Sequence, residues 1–185
     1  MITQESPLRG MKSGSITSVS MRELPALSSI DLRVAPGTEN MNAVKKALQI
    51  ELPVKPGHVQ ETGTNKRASY ALSLAPDWWL IVEYPEAIGK LLPIKEQYHF
   101  SAVDVSGQRT TIELAGPKAR NVLAHLWEQD LREKSFPVLS VSQGLMAKAP
   151  VIVIHIAPST YRIMVRSSFA LHLWSALTDA AIEWL

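Results

Sequence analysis

The chain has 185 residues, of which 46% are hydrophobic and 19% charged, enough for one large domain or two small ones around a substantial core. Nineteen basic and seventeen acidic residues leave a formal charge of +2, spread evenly: 11 basic against 10 acidic up to residue 100, 8 against 7 beyond it. No basic arm or stripe exists to serve nucleic acid, and the absence of cysteine excludes disulfides, thiolate nucleophiles and cysteine-ligated metal centres.

Residues 1–22 are rich in Ser and Thr, contain Gly10 and Gly14 and show no periodicity, so an N-terminal extended arm is expected there, loose or laid along a partner subunit. Ile30, Leu32 and Val34 alternate in a half-buried strand over Ser29–Val34. Pro36-Gly37 breaks it, and Thr38 or Asn40 caps a helix running to Gln49 with Val44, Ala47 and Leu48 on one face. The Pro- and Gly-rich residues 53–68 read as a long connection. Tyr70–Leu74 and Trp78–Tyr84 form a hairpin about Ala75-Pro76-Asp77, and a helix from Pro85 carries Ile88, Leu91 and Leu92 before Pro93 shortens it.

Ser101–Val105 and Thr110–Ala115 are strands around a polar turn. Pro117 opens a helix that reaches Glu128 and carries Val122, Leu123, Leu126 and Trp127. Val138–Ala147 and Val151–Ile156 are strands, the second short and apolar enough to be fully buried; Tyr161, Ile163 and Val165 alternate in the next. Ser167 or Ser168 caps a last helix whose stripe is Phe169, Leu173, Trp174, Leu177, Ala181 and Trp184.

An offset of 82 residues superposes Ile30-Asp31-Leu32 on Ile112-Glu113-Leu114, Leu74-Ala75-Pro76 on Ile156-Ala157-Pro158, Trp79 and Ile81 on Tyr161 and Ile163, and Leu91-Leu92 on Leu173-Trp174. Leu52-Pro53 and Phe136-Pro137 match with two residues inserted. The expected fold class is therefore α+β: two pseudo-symmetric ferredoxin-like lobes of β-α-β-β-α type packed together, 23–106 and 107–185, following the arm at 1–22. Ser101–Val105 closes the sheet of the first lobe. Glu83, aligned with apolar Val165, is expected to face solvent after a register shift.

The residues offer little chemistry. Gly63-Thr-Asn-Lys66 lacks the second glycine of a phosphate cradle. His58, His99, His125, His155 and His172 stand far apart; His125 and Glu128, at i and i+3, read as a surface pair, too few for zinc. His155, inside an apolar strand, reads as a satisfied core histidine. Asp104 and Ser106 near Arg109 resemble a catalytic cluster but suit a turn whose backbone they bond. Trp78-Trp79 and the Trp174/Trp184 stripe lack the basic groove of a base-stacking platform. The expected catalytic, cofactor-binding and metal residues are none.

Val103-Asp-Val-Ser-Gly-Gln-Arg-Thr110, Leu114-Ala-Gly-Pro-Lys-Ala-Arg120, Asp130-Leu131, Phe136-Pro137, Lys148-Ala-Pro-Val151 and Val165-Arg-Ser-Ser-Phe-Ala-Leu-His-Leu-Trp174 follow one another at a recognisable spacing. With Ser6-Pro7-Leu8 and Leu74-Ala-Pro-Asp-Trp-Trp-Leu80, they make the chain resemble the gamma subunit family of heterotetrameric sarcosine oxidase over nearly its whole length. A cysteine expected shortly before Asp130 is missing.

The resemblance implies a fold similar to the folate-binding domain of glycine-cleavage aminomethyltransferase. It further implies a non-catalytic accessory subunit that supports assembly with the alpha subunit, alongside beta and delta. The holoenzyme of that family oxidatively demethylates sarcosine to glycine, passes the one-carbon unit to tetrahydrofolate or releases formaldehyde, and forms hydrogen peroxide. Its FAD, FMN, NAD and tetrahydrofolate sit on other subunits, leaving no cofactor in a chain of this kind. The alternatives are a free-standing folate-binding aminomethyltransferase-like protein and a small-molecule-binding module; a folate protein of the iron–sulfur maintenance type requires a cysteine motif that is missing. The longest apolar runs, Trp78–Val82 and Val151–Ala157, fall well short of the roughly 20 residues a membrane helix needs, and the first twenty residues hold no signal peptide. A cytoplasmic location without membrane or nucleic-acid partners is expected.

Overall fold

The alternating segments around Ile30 and Ile112 each become a central strand of an antiparallel sheet. A computed structural model of the chain describes residues 5–64 and 67–185. Contacts divide it into two units: Leu27–Ser106, and the described residues up to Ala26 together with Gly107–Leu185.

The expectation of an N-terminal arm is corrected. Strands β1 (Lys12–Gly14) and β2 (Ser20–Glu23) form an antiparallel hairpin, and β2 pairs antiparallel with β8 (Arg109–Ala115). Leu8, Val19 and Met21 are fully buried in the same core as Ile112 and Leu114. Burial of these three side chains offsets the ordering entropy of an otherwise polar stretch.

In the Leu27–Ser106 unit, β3 (Ser29–Arg33) leads into α1 (Glu39–Leu48), capped by Thr38, whose Oγ1 accepts the Met41 N–H at 3.3 Å. Asn40, the other candidate cap, accepts the His99 N–H. Gln49, left-handed at φ 58°, ends the helix. Residues 53–68 are more than a connection: β4 (Val59–Thr64) lies within them and pairs with β5 (Arg67–Ala75). β6 (Trp78–Val82), α2 (Ala87–Leu91) and β7 (Ser101–Asp104) complete the unit, and a 3-10 turn containing Pro93 follows α2. The sheet order is β4-β5-β6-β3-β7. Glu83 lies just past β6 at φ 61° and is half-buried; its N–H donates to Ser28 and its carbonyl accepts from Ser69 Oγ. The strand stops before it, so no side chain there must match Val165.

In the other unit, α3 (Ala119–Leu126) is shorter at both ends than the span Pro117–Glu128. Pro117 sits in the turn before it, where Gly116 takes φ 115° and the Lys118 N–H donates to Ser18 O. Trp127 leaves the helix extended and bridges Met146. β9 (Ser140–Met146), β10 (Ala149–Ala157) and β11 (Thr160–Arg166) give the order β1-β2-β8-β11-β10-β9. A 3-10 turn, Ser167–Phe169, precedes α4 (Ala170–Ala180), and neither Ser167 nor Ser168 caps it; Ser167 bonds Gln108 instead. Ala170 takes the buried place expected of Phe169, which is exposed.

The internal correspondence reaches irregular detail. β5 and β10 both span nine residues at the 82 offset, and each hairpin shifts register at the same place, between Ser73 and Ala75 and between His155 and Ala157. β2 holds beside β8 the position that β7 holds beside β3. The closing strand of one unit thus follows its other strands in sequence, and that of the other precedes them.

Candidate interaction surface

The Asp104–Ser106 cluster is a turn lock. Asp104 Oδ1 accepts the Ser106 N–H at 2.9 Å and its hydroxyl at 2.5 Å, and Ser106 Oγ accepts the Ser29 N–H at 3.0 Å. The Val105 N–H donates to Ser29 O at 2.8 Å, so the turn is fastened to β3. The Ser106 hydroxyl, then its N–H, holds the exposed Asp104 carboxyl below the usual carboxylate range. Arg109 Nη1 donates to Gln108 Oε1.

The histidines do not converge. His58, His99, His125 and His172 are exposed. His125 contacts Trp184, with ring centroids 5.8 Å apart, while Glu128 lies beyond the end of α3. His172 Nε2 lies 2.7 Å from Ala147 O. Among the described residues, no three His, Asp or Glu side chains could hold a metal ion. In the loop Gly63–Lys66, Asn65 and Lys66 lie outside the described residues. Trp78 lies under the Arg33 guanidinium at 4.3 Å, and Trp79 Nε1 donates to Pro53 O at 2.9 Å.

His155 is a core residue, but only half satisfied. Its Nδ1 lies 2.9 Å from Phe136 O, whereas its buried Nε2 has no hydrogen-bond partner among the described residues. Because a carbonyl only accepts, the proton sits on Nδ1. The ring stacks on Tyr161 at 4.5 Å and on Phe136 at 5.8 Å; Phe136 also meets Trp127 edge-on. Burial raises the pKa of the Tyr161 hydroxyl, and the Arg120 guanidinium opposes the shift. The motif residues Arg120, Leu131 and Phe136 therefore build a packed nest. His155 and Trp79 are not equivalent in the repeat, whose 82-residue offset pairs Trp79 with Tyr161, yet each bonds a carbonyl of the loop before its strands, at Phe136 or Pro53.

Beside the nest, Asp130 accepts from Arg132 Nε and Nη2 and from Ser135 Oγ, bonds that hold its exposed carboxyl well below the usual range. An open cleft of about 370 Å³ lies between the end of α3 and this loop, lined by Arg120, Asn121, Trp127, Glu128, Leu131 and Arg132 among others. Next to the cleft, Asp130 engages Arg132 and the Tyr161 hydroxyl engages Arg120.

Helix α4 is the surface that stands out. It carries a single formally charged residue, Asp179, whereas α1 carries Glu39, Lys45 and Lys46. Its inner face (Ala170, Leu173, Trp174, Leu177) fills the core. Yet Leu171 is 60% exposed, and Ile182, in the turn that follows the helix, is 73% exposed. Phe169 and Leu185 extend the exposed apolar surface at either end. Large apolar side chains left exposed at both ends of a helix, with His172, Ser175 and Asp179 between them, mark a surface suited to burial in an assembly. The sequence stripe found the inner face. The exposed Leu171 and Ile182 lie outside that stripe.

The sequence model of the sarcosine oxidase gamma subunit family matches residues 35–183. Sarcosine oxidase subunit gamma of Corynebacterium sp. strain U-96 is 28% identical over 169 residues, covering 90% of this chain and 81% of that protein. The Arthrobacter subunit gamma is 26% identical, over 97% of this chain and 87% of that protein. A chain of the heterotetrameric sarcosine oxidase from Corynebacterium sp. U-96, solved in complex with pyrrole 2-carboxylate, superposes with a TM-score of 0.86 at 27% identity. The match covers 97% of this chain and 95% of that one. Glycine cleavage aminomethyltransferase T of Bartonella henselae matches at TM-score 0.61 and 12% identity over 88% of this chain and 46% of its own, a likeness of fold alone.

Proposed function

The chain belongs to the sarcosine oxidase gamma subunit family, and from that premise we propose that it is a non-catalytic accessory subunit of a heterotetrameric sarcosine oxidase. It contacts the alpha subunit directly and joins beta and delta in the complex. That complex demethylates sarcosine to glycine, with the one-carbon unit passed to tetrahydrofolate or released as formaldehyde and hydrogen peroxide formed. The flavins, NAD and folate belong to the other subunits; here Asp104 and Asp130 are engaged in turns and His155 in the aromatic nest. No helix among the described residues is long and apolar enough to cross a membrane, and a cytoplasmic setting is part of the proposal.

The observation that carries this reading is the near-complete match to a gamma chain, together with exposed Leu171 on α4 and Ile182 just past its end. Leu171 and Ile182 supply apolar area of the kind found at the centre of protein interfaces. The test is co-expression with the alpha, beta and delta subunits. Wild-type chain co-purifies with them, and Leu171→Glu with Ile182→Glu lowers recovery of the complex by about tenfold or more, a loss of order 1.4 kcal/mol. The isolated double variant keeps its melting temperature, because both side chains are already exposed. A fully stable and active oxidase assembled without this chain would remove the accessory role.

A further inference from the structure

We propose that the outer edge of β7 is a docking site for one extended segment of a partner subunit of the oxidase, added antiparallel as a further strand of the β4-β5-β6-β3-β7 sheet. The proposal rests on the accessory-subunit reading and specifies one way in which the chain engages its complex.

The first observation is internal to the molecule. β2 and β7 occupy equivalent places, each beside the first strand of its unit: Arg22 stands opposite Glu113, and Val103 stands opposite Asp31, at the 82-residue offset. The outer edge of β2 is taken by β1, with Lys12 opposite Arg22, Ser13 opposite Met21 and Gly14 opposite Ser20. Among the described residues the outer edge of β7 has no such strand.

The second observation concerns backbone groups. The Val105 N–H donates to Ser29 on β3. In an antiparallel pair the bonding groups alternate in direction, so Ser101 and Val103 also address β3. The N–H and C=O of Ala102 and Asp104 point the other way, and no described residue bonds them there. A row of donors and acceptors at strand spacing recognises another strand.

The third observation is the side chains. The opposite edge of the same sheet, β4, is guarded by exposed Gln60 and Glu61, as free edges usually are. β7 instead exposes Val103 by 53% at its centre, with Asp104 as its only charge. The matching segment carries an apolar side chain beside Val103 and a basic one toward Asp104.

The test uses the assembled oxidase. Hydrogen exchange at the amides of residues 101–105 is compared between the isolated chain and the complex, and the amides of Ala102 and Asp104 are expected to slow by about tenfold or more on assembly. Ala102→Pro deletes one outward N–H while sparing those that bond β3, and proline is tolerated at such edge positions. Val103→Lys places a charge where the apolar neighbour sits. Each is expected to lower recovery of the complex about tenfold with the melting temperature of the free chain unchanged. Unchanged exchange at Ala102 and Asp104, with both variants assembling like wild type, overturns the edge proposal and leaves the accessory role intact. Protection of these amides in the isolated chain at high concentration, without partners, makes a second copy the occupant and overturns the proposal as stated. Failure of the wild-type chain to enter the complex overturns both readings.

Discussion

Gly144 lies where β9 passes under an indole. A Cβ built there meets Trp127 Nε1 at 2.7 Å, and the glycine's φ is not in the left-handed region, so the objection to any larger residue is steric rather than conformational. Gly144→Ala is expected to cost about 1–3 kcal/mol, the usual range for overpacking, measured by denaturant unfolding. The same substitution made with Trp127→Phe already present costs less, because the shorter ring withdraws from the contact. An equal cost in both backgrounds would show that Trp127 is not the obstacle. Asp130 gives a pH signature at the same scale. Arg132 and Ser135 lower its folded-state pKa below the ordinary 3.8, so its contribution is complete above the unfolded value and disappears as pH falls through the folded one. Carboxyl NMR should show Asp130 still ionised at pH values where ordinary aspartates are protonated. Arg132→Gln should bring its titration back toward the ordinary value.

At the scale of elements, the strands most legible in the sequence were those that bury several apolar side chains. Ile112 and Leu114, or Tyr161, Ile163 and Val165, alternate because every second side chain enters the core. β4 offers only Val59 to the interior and exposes Gln60, Glu61 and Gly63, so an edge strand read as a loop. β2 is harder still: Ser-Met-Arg-Glu holds one apolar residue, and its place is set by pairing with β8 some ninety residues away. The Arg22 bonds to Glu113 Oε1, at 2.8 and 2.6 Å, are invisible to any local pattern. The candidate site was legible in the opposite sense. Residue types and spacing argued against a metal centre or nucleotide cradle, while the exposed Leu171 and Ile182 could be separated from the core stripe only once the fold showed which side chains are buried.

The N-terminal hairpin yields a prediction of its own. Removing residues 1–26 strips Leu8, Val19 and Met21 from the core and bares one edge of β8. Each buried aliphatic side chain contributes about 1.5–3 kcal/mol, and the three together rival the whole net stability of a typical domain, about 5–15 kcal/mol. The truncated chain is expected to lose a cooperative thermal transition or to aggregate through the bared edge. A peptide of residues 5–26 added in trans restores the transition. Were the truncated chain to melt like the intact one, the hairpin would be an appendage, and its buried side chains would contribute nothing to stability.

For the whole molecule, the distribution of charge constrains how it meets other chains. Basic and acidic residues nearly cancel in both halves of the sequence, and the surface proposed for assembly, around Leu171 and Ile182, is sparsely charged, with Asp179 and Glu183 its formal charges. Association driven by attraction between oppositely charged surfaces weakens steeply as salt screens it, over a Debye length of about 10 Å at 0.1 M. Association driven by burial of Leu171, Ile182 and their neighbours does not, and it carries a negative heat-capacity change. Titration of the isolated chain into an oxidase preparation lacking it should therefore give an affinity that changes by no more than about threefold between 0.05 and 0.5 M sodium chloride. The binding enthalpy should become more favourable as temperature rises. The Leu171→Glu, Ile182→Glu variant should reduce that temperature slope along with affinity, because it removes the apolar area that generates it. A steep loss of affinity with salt, and a slope untouched by the double variant, would move the interface off α4 to a charged surface such as the Asp130–Arg132 loop, where the ion pair is already closed within the chain.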